Sequence, residues 1–200
     1  MPDPTELSYI WAETIKQKLE TNGWQVIDLA ADDAIASQVE LALQNVTNEV
    51  VIFYGHGFPS CMISQNVEEA IINLNNMTIL KKKKVYVMAC WTIQKLGEYA
   101  KNIVHCYLGY DKEVKVWFDP LYSNPLGECV NKGILEMLNI PDYTFEQARQ
   151  QMVAEYNRWI DYFVDKEEVN SSRFAAVLRH NRDALRLLGN TECRVGRCAI

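Results

Sequence analysis

Two short runs constrain this chain more than any other feature: Glu49-Val50-Val51-Ile52-Phe53-Tyr54 and Val85-Tyr86-Val87-Met88-Ala89. Each is continuously apolar and rich in β-branched or aromatic residues. A strand with one wet face alternates apolar and polar residues, whereas a strand covered on both faces does not. Both runs therefore predict buried strands of a largely parallel sheet. Helical patterns lie between and around them, which argues for an α/β fold with helices on both sides of the sheet.

The rest of the chain fits that frame. Asp3, Pro4 and Glu6 make a helix start, with a capping box from Asp3 to Glu6. Leu7, Ile10, Trp11, Ile15 and Leu19 recur at helical spacing, and Gly23 ends the helix. Trp24 to Leu29 reads as a short strand. Ile35, Val39, Leu41 and Ala42 mark the inner face of a second helix, which ends near Asn45 or Asn48. Asn66 to Leu74 and Ile93 to Ala100 read as short helices, and Ile103 to Leu108 as a fourth strand. Downstream, Leu126 to Leu138 is a predicted helix followed by Pro141. Thr144 and Gln147 cap a long helix with Phe145, Ala148, Met152, Tyr156, Trp159, Ile160 and Phe163 on one face. Phe174 to Leu188, closed by Gly189, is the last helix. No linker divides the chain, so residues 1–200 are expected to form one domain: an α/β core over 1–110 completed by a mainly helical part over 111–200.

Composition narrows the function. The net charge is -6, which disfavours nucleic-acid binding, and the one basic run, Lys81 to Lys84, reads as a solvated turn before a strand. There is no charged start followed by an apolar leader. No stretch approaches the ~20 apolar residues that span a bilayer. The expected location is the cytoplasm, with no membrane partner. No phosphate loop, dinucleotide fingerprint or metal spacing is present, so no cofactor and no metal are expected. Of the six cysteines, Cys193 and Cys198 are close enough to form a bridge or hold a metal, but no second ligand pair accompanies them.

The chemistry is carried by the residues just past the two buried strands. The first strand stops at Gly55-His56-Gly57, the second at Cys90-Trp91-Thr92. Ligands of open parallel sheets bind beyond the carboxyl ends of the strands, so a histidine and a cysteine placed there can meet over one bond. Cys90 is then the nucleophile, with His56 as its proton acceptor and later the donor to a leaving amine. The N–H groups of Gly57 and Cys90 are candidates for an oxyanion hole. The order, histidine before cysteine, differs from papain-like enzymes, and Met88-Ala89-Cys90-Trp91-Thr92 lacks the glycines of a hydrolase elbow. His105 reads as a packed strand histidine and His180 as an exposed one. Cys61 reads as a loop thiol near His56.

Phe53-Tyr54-Gly55-His56-Gly57 followed by Val87-Met88-Ala89-Cys90-Trp91-Thr92 resembles the caspase-like clan of cysteine peptidases. The chain is most similar to the CHAT branch, which is related to separases and gingipains. Leu108-Gly109-Tyr110 and Tyr143-Thr144-Phe145-Glu146-Gln147-Ala148 extend the resemblance over roughly residues 22 to 160. It implies a caspase-like three-layer α/β/α sandwich with a mostly parallel sheet. It also implies cleavage of a specific protein or peptide substrate, in a regulatory or defence pathway, with activation by a partner or ligand. Asp111 and Trp91 are candidates for the substrate pocket, Asp111 favouring a basic residue before the cut. The chain departs from the family in one respect: it begins with the helix, without the strand that usually precedes it. The tail from Cys193 to Ile200 is one substitute. That departure favours the competing expectation, a catalytically silent adaptor or inhibitor that keeps the fold. Another cysteine-dependent hydrolase, such as an amidase, is the third.

Overall fold

The computed structural model describes residues 4–45, 49–64, 69–140, 142–166 and 168–195. Four strands form the main sheet: β1 (Val50–Tyr54), β5 (Lys84–Met88), β6 (Cys106–Tyr110) and β7 (Leu185–Gly189), in the order β1-β5-β6-β7. The first three are parallel and β7 is antiparallel to β6. A second sheet is a meander of β2 (His56–Phe58), β3 (Cys61–Ile63) and β4 (Ala70–Asn73). The fold is thus α/β with a mixed, mostly parallel main sheet.

Alternation in the buried strands splits the core. Tyr86, Met88, Leu108 and Tyr110 face one cluster, packed by the helices α1 (Pro4–Thr21), α4 (Pro120–Asn139), α5 (Phe145–Asp165) and α6 (Ser171–Ala184). Val85, Val87 and Tyr107 face the other, with Met62 and Ile72 of the small sheet and Leu96. Val39 and Leu43 of α2 (Ala36–Gln44) pack against that second cluster. Both faces are covered, which is why neither strand sequence shows alternation.

The long helices start and stop where their sequences direct. Thr144 caps α5 by accepting the Gln147 N–H at 3.1 Å, and the Gln147 side chain accepts the Thr144 N–H at 2.8 Å. Phe145, Ala148, Met152, Tyr156, Ile160 and Phe163 are all buried. Gly23 ends α1 with φ +79°, its N–H donated to the Glu20 carbonyl at 2.9 Å. Asp3, Asn48, Asn66, Pro141 and Cys198 lie outside the described residues. Two interior polar links tie α4 to its neighbours: Tyr54 Oη donates to Asn131 Oδ1 at 2.6 Å, and Asn131 Nδ2 donates to the Trp11 carbonyl at 2.8 Å.

Several expectations are corrected. Ala70–Asn73, expected within a helix, is a strand, because Ile71 and Ile72 gain a partner in β3 through the pairing Met62↔Ile72. Leu185–Gly189, expected to continue the last helix, is a strand. Its leucines serve both cores at once, Leu187 against one cluster and Leu188 against the other, and its ladder covers the outer side of β6. The fourth strand starts at Cys106 rather than Ile103, and His105 before it is exposed. Ile10 and Leu41, expected inside, are exposed, since the helix faces that reach the core are narrower than the apolar pattern. Trp24 to Leu29, expected as a strand, joins no strand ladder among the described residues. No helix among the described residues is long and apolar enough to cross a membrane.

Candidate active site

The ladder between β1 and β5 sets the two reactive residues side by side. Its last rung is Tyr54↔Met88. His56, the first residue of β2, and Cys90 each lie two residues beyond that rung, past the ends of two neighbouring parallel strands, whose spacing is ~4.8 Å. Both line one cleft of about 560 Å³ at the carboxyl end of the sheet.

Beyond the rung the two turns are fastened to each other. The carbonyl of Pro59, in the β2–β3 hairpin, accepts the N–H groups of Lys95 and Leu96 at 3.0 and 2.8 Å. These belong to the wide turn Ile93–Gly97, closed by the Gly97 N–H donating to the Thr92 carbonyl at 2.8 Å. It leads into the short helix α3 (Glu98–Ala100). Gly57 sits directly on the cysteine turn. A Cβ at that position would stand 2.7 Å from the Cys90 carbonyl oxygen, 2.6 Å from Thr92 Cγ2 and 3.0 Å from Ala89 Cβ. Only glycine permits this contact, so the second glycine of Gly-His-Gly is there for close approach. Trp91 takes a left-handed φ of +56°, which turns the chain sharply after Cys90.

A strap formed by residues 111–118 makes the opposite wall. Glu113, Val114, Lys115, Val116 and Trp117 line the cleft together with Val177 of α6. The strap is pinned from both sides. Its Lys112 carbonyl accepts the Trp91 N–H at 3.0 Å. On the other side, the buried Asn181 accepts the Lys115 N–H at 2.9 Å and donates to the Lys115 carbonyl at 2.8 Å. His180, half-buried rather than exposed, places Nε2 2.8 Å from the Glu113 carbonyl.

The thiol itself meets the strap. Cys90 Sγ accepts the Val114 N–H at 3.3 Å. Burial pushes the Cys90 thiol above its ordinary value; the Val114 N–H pulls the other way, and the Glu113 charge adds to the rise. Among the described residues the His56 imidazole makes no hydrogen bond. Burial thus favours the neutral form of the Cys90 thiol, and His56 lines the same cleft.

The other candidates fall elsewhere. Asp111 forms an ion pair with Arg186 of β7 at 2.9 Å, and neither Asp111 nor Trp91 lines the cleft. Cys61 is on β3, opposite Phe58. Cys193 is buried against Cys106, and the hydrogen bond between these two thiols holds Cys106 above its ordinary value and Cys193 below it. Sequence reasoning missed the strap and its anchor, Asn181. One signal was available: Asn181 falls on the apolar stripe of α6 after Phe174, Ala175 and Leu178, and an amide there needs a partner.

Comparison with models of known protein families, with characterised proteins and with solved structures returns no match.

Proposed function

We propose that the chain is a cysteine peptidase of the caspase-like kind, with Cys90 as nucleophile and His56 as proton carrier. The supporting observation is the equal placement of the two residues, each two positions past the rung Tyr54↔Met88, facing one cleft. The Cys90 sulfur attacks a peptide carbonyl carbon and passes its proton to the imidazole. As the C–N bond breaks, the imidazole returns that proton to the leaving amine. Water then hydrolyses the thioester. The N–H groups of Gly57 and Cys90 stabilise the oxyanion. The reading carries with it a three-layer caspase-like sandwich, a cytoplasmic setting, and a specific protein substrate in a regulatory or defence pathway.

One observation favours a second reading. The thiol is raised by burial and bonded to the strap rather than to the imidazole. That is the state of an enzyme awaiting a partner, or of a silent relative that acts as adaptor or inhibitor. A peptide bearing a thiol-reactive group decides between them. Labelling at Cys90 in the wild type, lost in both Cys90→Ala and His56→Ala, supports the peptidase. Labelling that persists in His56→Ala at the wild-type rate refutes the pair.

A further inference from the structure

Two buried thiols meet at the end of the sheet opposite the cleft. Cys106 opens β6 at the amino end of the parallel strands, whereas Cys90 follows the carboxyl end of β5. β7 ends beside that start, with Gly189 paired to Cys106. The approach is close. A Cβ on Gly189, whose φ is +84°, would stand 3.2 Å from Cys106 Cα and 2.8 Å from the His105 carbonyl oxygen. The chain then turns back on itself. The Asn190 N–H donates to the His105 carbonyl at 2.8 Å, and the Cys193 N–H to the Asn190 carbonyl at 3.3 Å. This turn sets the Cys193 sulfur in hydrogen-bond contact with the Cys106 thiol, inside the core cluster that both share.

The turn is also held from its far side. The Cys193 carbonyl accepts the Phe145 N–H at 2.9 Å, and the Thr191 carbonyl accepts the Glu146 N–H at 3.3 Å. Arg194 makes an antiparallel bridge with Thr144. Cys193 therefore stands where β6, β7 and the start of α5 join, with its backbone fixed from two directions.

We propose that Cys106 and Cys193 form an oxidisable pair, which hydrogen peroxide converts to a disulfide that locks the end of β7 to the start of β6. The two sulfurs have unequal roles. Cys193 keeps 6% of its surface exposed and Cys106 none, so Cys193 meets the oxidant. It is also the better nucleophile. The Cys106 thiol donates to its sulfur and the Lys84 ammonium lies near, and together they hold Cys193 below its ordinary value against burial and the Glu49 charge. The β5–β6 register places Lys84 opposite Cys106, with its Nζ 2.7 Å from Glu49. The Cys193 thiolate attacks one peroxide oxygen and the O–O bond breaks, leaving a sulfenic acid and a hydroxide ion. The Cys106 sulfur, its proton lost, attacks the Cys193 sulfur and expels a second hydroxide as the S–S bond forms. The two thiol protons neutralise the two hydroxides. Peroxide is thus reduced to two waters, and the pair is oxidised by two electrons. Neither sulfur lines the Cys90 cleft, so the bond does not depend on the peptidase reading. It closes a loop of about 90 residues that contains α4, α5, α6 and β7, which restricts the unfolded chain.

The test uses the full chain, reduced and then treated with hydrogen peroxide. Remaining thiols are alkylated, and the protein is cut with trypsin. The three cysteines concerned fall in separate fragments: Cys106 in 102–112, Cys193 in 187–194 and Cys198 in 198–200. Fragments 102–112 and 187–194 are expected to appear joined, at least about tenfold faster in the native protein than in urea. The melting temperature is expected to rise by at least about 5 °C and to return on adding dithiothreitol. Cys198→Ser is expected to form the bond at the wild-type rate, and Cys193→Ser to show neither the joined fragments nor the rise. Joining of 187–194 to 198–200 instead overturns the proposal, because Cys198 is then the partner. Equal rates in native protein and urea also overturn it, since the fold then does nothing to bring the sulfurs together. So does a Cys193 that proceeds to sulfinic acid while Cys106 still alkylates. A bond that forms without raising the melting temperature refutes the lock.

Discussion

Gly57→Ala tests whether the histidine and cysteine turns are one unit. The added methyl would stand 2.7 Å from the Cys90 carbonyl oxygen and 2.6 Å from Thr92 Cγ2. Neither can give way alone: one is backbone, and Thr92 is fully buried. Overpacking of this kind costs about 1–3 kcal/mol. At about 2–4 °C per kcal/mol for a chain of this size, the melting temperature falls by about 2–12 °C. Relief comes by moving the hairpin or the Cys90 carbonyl, so the alkylation rate of Cys90, followed by mass spectrometry, changes as well. Gly97→Ala is the control, because its nearest atom would be 3.2 Å away, and its loss is expected to be smaller. If Gly57→Ala melts within about 1 °C of the wild type and its Cys90 reacts at the same rate, the two turns are not coupled and the argument fails.

Four further outcomes follow from the geometry. Alkylation of Cys90 in the free protein should rise with pH and reach half its maximum above the ordinary cysteine value of ~8.5, because burial favours the neutral thiol. The linkage has a matching sign: the folded-state value is raised, so stability present below the unfolded value is lost as pH climbs through it. Cys90→Ala should therefore lose less stability than the wild type between about pH 8 and pH 10 in urea titrations, and equal losses would refute the assignment. Thr144→Ala removes the cap of α5 and should cost about 1 kcal/mol by urea denaturation; an unchanged midpoint would show the cap to be idle. Asp111→Asn breaks a partly exposed ion pair with Arg186 and should cost less than about 1 kcal/mol, leaving any preference before the cut unaltered. A lost preference for basic residues would return Asp111 to the substrate pocket.

The parts of this fold legible in the sequence are those whose pattern is local. Val50–Tyr54 and Val85–Met88 declared themselves by continuous apolar content, and α5 by its capping box and stripe. The positions of His56 and Cys90 past strand ends could be read for the same reason. Elements decided by a distant partner could not. Ala70–Asn73 is a strand because β3 lies beside it, and Leu185–Gly189 because β6 offers an open ladder. Trp24 to Leu29 has a strand's sequence without a strand's neighbour. The strap over Cys90 carries no pattern of its own and is held by Asn181, 66 residues from Lys115.

The hydrogen bond from Val114 to the Cys90 sulfur gives that residue a second occupation. The sulfur holds the strap to the end of β5 whether or not any bond is ever cleaved. A closed strap would therefore favour a cysteine, or a hydroxyl in its place, at position 90 whether or not the chain is a peptidase. His56 has no such duty toward its neighbours. On the peptidase reading proposed above, a relative that lost the chemistry would lose the histidine first, and a surviving cysteine alone would testify to architecture rather than to activity.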